Sequence, residues 1–190
     1  MIHFDPSPEP PTFDSECRQK GAAWLVAHPG AERPRDYWTP FKSVLAVGFR
    51  DLCAYSAMYE PVGTVDHFRS WQKNPAAAYE WSNYRYASAL MNSCKGTADV
   101  LDPFEVGADW FEILLPSLQL VVTDRVPPAV RGLAEQTLRR LHLRDDERVL
   151  RQRREWHRMY QDGELTLAGL WRKAPLIARA VEKQAAVAST

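Results

Sequence analysis

The spacing of apolar residues changes character along the chain, and each change marks a different kind of element. Residues 1–12, MIHFDPSPEPPT, hold four prolines. Proline lacks the amide donor and clashes with the preceding turn, so an extended arm is expected there. Asp14 then stands where a helix cap is favoured. The run to about Ala27, with Ala22-Ala23-Trp24-Leu25-Val26 as its best-packed part, predicts a first helix ended by His28-Pro29-Gly30. His28 reads as a helix-end residue, where positive charge is favoured. A breaker-rich link from Ala31 reaches Thr39, which caps a helix beginning at Pro40 with Phe41, Val44, Leu45 and Val47 as its apolar face.

Between residues 62 and 96 the period shortens. Gly63 to His67 is rich in β-branched residues after a Pro-Val-Gly turn and predicts a short strand ending near His67. Arg69 to Ser82, interrupted by Asn74-Pro75, predicts a loop, and Asn83-Tyr84-Arg85-Tyr86 alternates as a second strand does. Ala87 to Lys95 favours helix, with Gly96 at the left-handed cap position. The unit is strand, loop, strand, helix.

Further on, Trp110 to Leu115 and Leu118 to Val122 flank Pro116-Ser117 as a β-hairpin. From Pro127 the period returns to that of helix: Val130, Leu133, Leu138 and Leu141 form one stripe. Asp145 or Asp146 can cap a second helix carrying Val149, Leu150, Trp156 and Tyr160 up to Gly163. Thr166 can cap a short third, and Pro175 begins a last one toward Lys183. The expectation is an α+β fold in one domain over residues 1–190, mostly helical, with a core unit at 62–96 and a helical layer at 124–186.

Composition changes this picture little. Twenty-four basic and 24 acidic residues give a formal net charge of zero, so any contact with a polyanion must come from a local patch. Cys17, Cys53 and Cys94 have no disulfide-like or metal-like spacing and read as thiols of a reducing cytosol. No apolar run approaches the length of a membrane span, and the amino-terminal residues lack the basic-then-apolar pattern of a signal peptide; a cytoplasmic protein without membrane contact is expected. The arginine cluster at 139–158 reads first as a salt-bridged, solvated helix face and second as a phosphate or partner surface. His142 and His157 within it read as surface or packing residues.

The chemistry gathers in residues 62–96. Asp66 and His67 sit together at a strand end, Asn83 enters the second strand and Asn92 projects from the helix. A carboxylate and a carboxamide oxygen make a hard pair suited to Mg²⁺ or Mn²⁺, and an adjacent imidazole supplies a base near neutrality.

This order, Asp-His, then Asn, then Asn followed by Ser-Cys-Lys-Gly, resembles the HNH endonucleases of ββα-metal (His-Me finger) fold. VDHF, AYEWSN and MNSCKG are similar to the HNH nucleases of bacterial anti-phage defence, including the small nuclease subunits of Septu-type and retron-linked systems. The resemblance implies that His67 is the general base, that Asp66 and Asn92 hold the divalent metal, and that Asn83 bonds loop backbone to aim His67 inward. Arg69, Arg85 and Lys95 are then the nearest candidates for phosphate contacts. It further implies a DNA substrate and an ATPase partner, and cleavage with little sequence preference is expected because no helix-turn-helix or zinc finger is visible to read bases. Many relatives carry two Cys-x-x-Cys pairs for a structural zinc. Here those positions are Cys53, Ser56, Ser88 and Met91, and one thiolate cannot make a tetrahedral site, so no structural zinc is expected. Packing by Trp71, Tyr79, Trp81, Tyr84 and Tyr86 is expected in its place. Asp102 and Asp109 read as scaffold rather than metal ligands. Two rival functions stay open: a non-catalytic binding or adaptor module of the same shape, and an RNA-directed nuclease toxin.

Overall fold

The computed structural model describes residues 1–188, which form seven α-helices and two small antiparallel sheets in an α+β arrangement. In chain order these are α1 (Gln19–Ala27), α2 (Lys42–Gly48), β1 (Thr64–His67), β2 (Tyr84–Ala87), α3 (Ala89–Lys95), β3 (Phe111–Leu114), β4 (Gln119–Val122), α4 (Pro128–Arg140), α5 (Glu147–Gln161), α6 (Leu167–Lys173) and α7 (Pro175–Ala188). Among the described residues no helix is long and apolar enough to cross a membrane.

The arm has no regular structure, yet it is part of the core. Met1, Ile2 and Phe4 are buried, Phe4 packs 4.8 Å from Phe49, and Trp81 donates its indole hydrogen to the Ser7 carbonyl at 2.9 Å. Before α1 the chain makes a wider π-type turn over Asp14–Arg18 with Phe13 in the cap position. Asp14 does not cap. Its carboxylate turns to Arg18 and Gln19, at 2.7 and 2.6 Å.

The expected packed part of α1 is largely in water, Val26 most of all. The helix faces the core through Gly21, with Leu25 partly buried against it and Cys17 buried in the turn before, and a side chain at Gly21 would collide with the Tyr79 ring, its Cβ falling 2.3 Å from a ring carbon. The face of α2 also differs from expectation: Phe41, Leu45 and Phe49, four residues apart, are buried while Val44 and Val47 are exposed. The helix is under two turns long and enters through a 3₁₀ turn, so that row, with Ala46 beside it, meets the core.

β1 and β2 pair antiparallel, with Asp66 opposite Arg85 and His67 opposite Tyr84. Residues 81–83, including Asn83, form a 3₁₀ turn rather than strand. All four residues of β2 are buried, so it is not the half-exposed strand its alternation predicts. Phe13 is the hub beneath it, edge-on to Phe41, Trp81 and Tyr84 with centroids 5.1–5.7 Å apart. Such edge contacts suit the ring quadrupoles. Of the expected aromatic set, Tyr79, Trp81, Tyr84 and Tyr86 are buried and Trp71 is only partly so. Beside the sheet, Cys53 Sγ accepts from the Ser88 amide at 3.4 Å, Ser88 caps α3 through Met91 N, and Ser56 and Met91 are buried.

The hairpin β3–β4 matches its expected place, and Asp146 and Thr166 cap α5 and α6 through the amides of Arg148 and Gly169. α5 attaches by an unexpected residue. Arg153 is buried, and its guanidinium donates to the carbonyls of Leu118, Leu143 and Arg144. With no carboxylate among those partners, burial lowers its pKa to about 10.

Candidate functional site

The β1–β2 ladder and α3 bring Asp66, His67 and Asn92 to one polar pocket of about 280 Å³, lined also by Arg33, Trp38, Val65, Ser70, Trp71 and Gly96. The other residues of the unit hold these three in place.

His67 is boxed in. Trp38 and Tyr84 stand edge-on to its ring with centroids at 4.6 and 5.2 Å, and its Nε2 lies 2.9 Å from the Ala78 carbonyl. A carbonyl only accepts, so in the neutral ring the proton sits on Nε2 and Nδ1 carries the lone pair. Nδ1 has no partner among the described residues and is not among their buried, unpartnered atoms, so it faces the pocket. Burial lowers the His67 pKa below its ordinary value, with the Ala78 carbonyl and Asp66 pulling the other way. The ring is therefore a free base at neutral pH.

Asn83 acts on the loop. Its Oδ1 accepts from the Arg69 amide at 2.7 Å, and its Nδ2 donates to the carbonyls of Arg69 and Ala77 at 3.0 and 2.9 Å. One carboxamide thus ties the two ends of the connection next to His67 and next to the carbonyl that holds it. Asn92 is oriented the same way. Its Nδ2 donates to Thr64 Oγ1 at 3.0 Å and the Val65 carbonyl at 3.3 Å, leaving Oδ1 unpartnered on a residue that lines the pocket.

Asp66 is more heavily engaged. The Tyr55 hydroxyl donates to Oδ2, and Lys95 Nζ donates to Oδ1 at 3.0 Å and to the His67 carbonyl at 2.8 Å. All three side chains are buried. Burial first, and then the Asp66 charge, push the Tyr55 hydroxyl well above its ordinary pKa, so Tyr55 remains a donor. Neither oxygen of Asp66 is used up, since a carboxylate offers about four lone-pair sites. In donor type, Asp66 with Asn92 Oδ1 fits an oxygen-seeking divalent cation that keeps most of its water. In charge the fit is poorer, because Lys95 already offsets the one carboxylate. No group of three or more His, Cys, Asp or Glu that could hold a metal occurs among the described residues.

The phosphate-contact set needs correction. Lys95 is fully buried and spent on Asp66. Arg85 is also buried, forked onto Asp102 at 2.8 and 2.6 Å, bonded to two carbonyls, and sandwiched over Phe104 and Phe68. Neither presents a cation to a ligand. Arg69 is exposed without an acidic partner among the described residues, and so is Arg33, a residue of the breaker-rich link that no sequence signal singled out. Tyr55 was equally hidden, since nothing in the sequence ties it to Asp66. A two-residue bridge of Leu52 to Tyr59 turns it back. Asp102 and Asp109 are ion-pair scaffold, with Arg85 and Arg179.

No family model, curated protein or solved structure matches the chain.

Proposed function

We propose that the protein is a metal-dependent HNH endonuclease that hydrolyses phosphodiester bonds in DNA, with residues 62–96 as a ββα-metal core. One observation carries this reading: His67, Asp66 and Asn92 reach a single small pocket with the basic nitrogen of His67 facing it and the Asn92 carboxamide oxygen unpartnered.

In this reading His67 Nδ1 takes a proton from the water that attacks phosphorus, while the Ala78 carbonyl fixes the tautomer and steadies the imidazolium that forms. Trp38 and Tyr84 keep the ring from rotating, and Asn83 keeps the loop from drifting. Asp66 and Asn92 would hold a divalent cation, which when bound supplies positive charge for the leaving oxygen and the crowded phosphate. Lys95 and Tyr55 set the position of the Asp66 carboxylate.

The test is nicking of supercoiled plasmid with Mg²⁺ or Mn²⁺ by the intact chain and by His67→Ala and Asn92→Ala. Cutting that needs metal, stops with EDTA and falls by about 10²–10⁴-fold in His67→Ala is expected. Unchanged cutting in both variants would refute it. A second reading, a non-catalytic module that binds through the same surface, is favoured by one feature, the two internal donors already on Asp66. The ATPase partner of the defence systems that the motif resembles belongs to the proposal as well, and cutting that rises when the neighbouring gene product is added would support it.

A further inference from the structure

We infer that the pocket takes an unpaired strand of DNA, with a base stacked on Trp71 and a neighbouring phosphate held by Arg33, rather than an intact duplex. This rests on the phosphodiesterase reading and names the substrate class of that site.

The first ground is charge. A duplex presents one negative charge per about 1.7 Å of its axis, and proteins that bind it lay a row of lysines and arginines along it. Among the described residues there is no such row at the pocket. Arg85 and Lys95 are buried, and half of the arginines between residues 139 and 158 are matched by carboxylates: Arg144 with Glu135, Arg148 with Asp146, Arg154 with Glu147, and Arg158 with Glu155, Asp162 and Glu164. Near the pocket the exposed cations without an acidic partner among the described residues include Arg33, Arg69 and Arg140, whose guanidinium lies beside Gly96 and donates to the Lys95 carbonyl. Three scattered cations do not make the row that a rigid duplex meets and are enough to position a flexible strand.

The second ground is the ring. Of the two tryptophans lining the pocket, Trp38 is 6% exposed and spent on His67, Tyr79 and Tyr84. Trp71 is partly buried against the core and makes no ring–ring contact and no indole hydrogen bond among the described residues. It therefore offers a base a stacking surface within the pocket that contains the catalytic candidates. Stacking needs a base that is out of its pair, and it is indifferent to sequence because every base has such a face.

The experiment measures fluorescence anisotropy of a labelled 12-nucleotide single strand and of a hairpin duplex of the same composition, in EDTA so that no cutting occurs. It uses the intact chain, Trp71→Ala, Trp71→Phe and Arg33→Ala, each with its melting temperature. The single strand is expected to bind at least fivefold tighter than the duplex. Trp71→Ala should weaken it about tenfold, Trp71→Phe should restore most of that affinity, and the salt dependence should be shallow, with a log–log slope of about −2 for three phosphates. Equal or tighter duplex binding, or no loss in a folded Trp71→Ala, overturns the inference. Cleavage of both DNAs with Mg²⁺ is followed in parallel. Cutting with duplex preference sinks the strand inference alone, whereas strand binding without any cutting sinks the hydrolase reading alone.

Discussion

The β1–β2–α3 unit and helix α5 are both rich in charge, and they use it oppositely. Around β1 the charged groups are few and buried: Lys95 on Asp66, and Arg85 forked onto Asp102. Along α5, apart from the buried Arg153, they are many and exposed, with Arg158 alone reaching three carboxylates in solvent. In sequence the arginine cluster is the louder signal. In the structure the consequential charges are the quiet ones, because removing one partner of a buried pair strands the other, while an exposed charge returns to water.

The sharpest way to break the contrast is Lys95→Met, which leaves Asp66 buried beside Tyr55 with no counter-charge. A loss of about 3–5 kcal/mol in urea unfolding is expected. If Asp66 belongs to a cation site, millimolar Mg²⁺ should recover more stability in this variant than in the parent chain. A loss of under 1 kcal/mol would make the pair no more consequential than those of α5.

The next test uses pH. Burial disfavours the imidazolium of His67, so the folded chain binds its proton more weakly than the unfolded chain does. The His67 contribution to stability is thus whole above about pH 6.5 and is lost as pH falls from there toward the folded value. Single-turnover cutting should be level near neutrality and drop about tenfold per pH unit below a midpoint under 6.5. A midpoint above 7 would mean that the ring titrates in a different environment.

The smallest effect belongs to α5. Arg158→Ala removes several ion pairs from the surface and should leave the melting temperature within about 2 °C. A drop comparable to that of Lys95→Met would erase the distinction between the two regions.

The sequence carries the elements better than their faces. The strand-loop-strand-helix order, the Pro116-Ser117 hairpin, the Thr166 cap and a cap at Asp145 or Asp146 could be read because each depends on neighbours in the chain. The orientation of α2 could not, since which row is buried depends on what packs against a helix of under two turns. The placement of Asp66, His67, Asn83 and Asn92 around one unit followed from the motif. The fates of Arg85 and Lys95 did not, because a basic residue beside a motif looks the same whether it faces a ligand or the Asp66 and Asp102 carboxylates. Tyr55 and Arg33 meet the site only through the turn at residues 52–59 and the link before α2, contacts with no local signature.

The Asn83 tie separates loop length from site geometry. Its bonds fasten Arg69 and Ala77, while Gln72 to Ala76 between them lie exposed in water. Lengthening a loop costs little chain entropy, about 0.6 kcal/mol for each doubling. This stretch can therefore gain or lose residues while the imidazole keeps its place, so the length of the connection and the position of His67 are independent of one another.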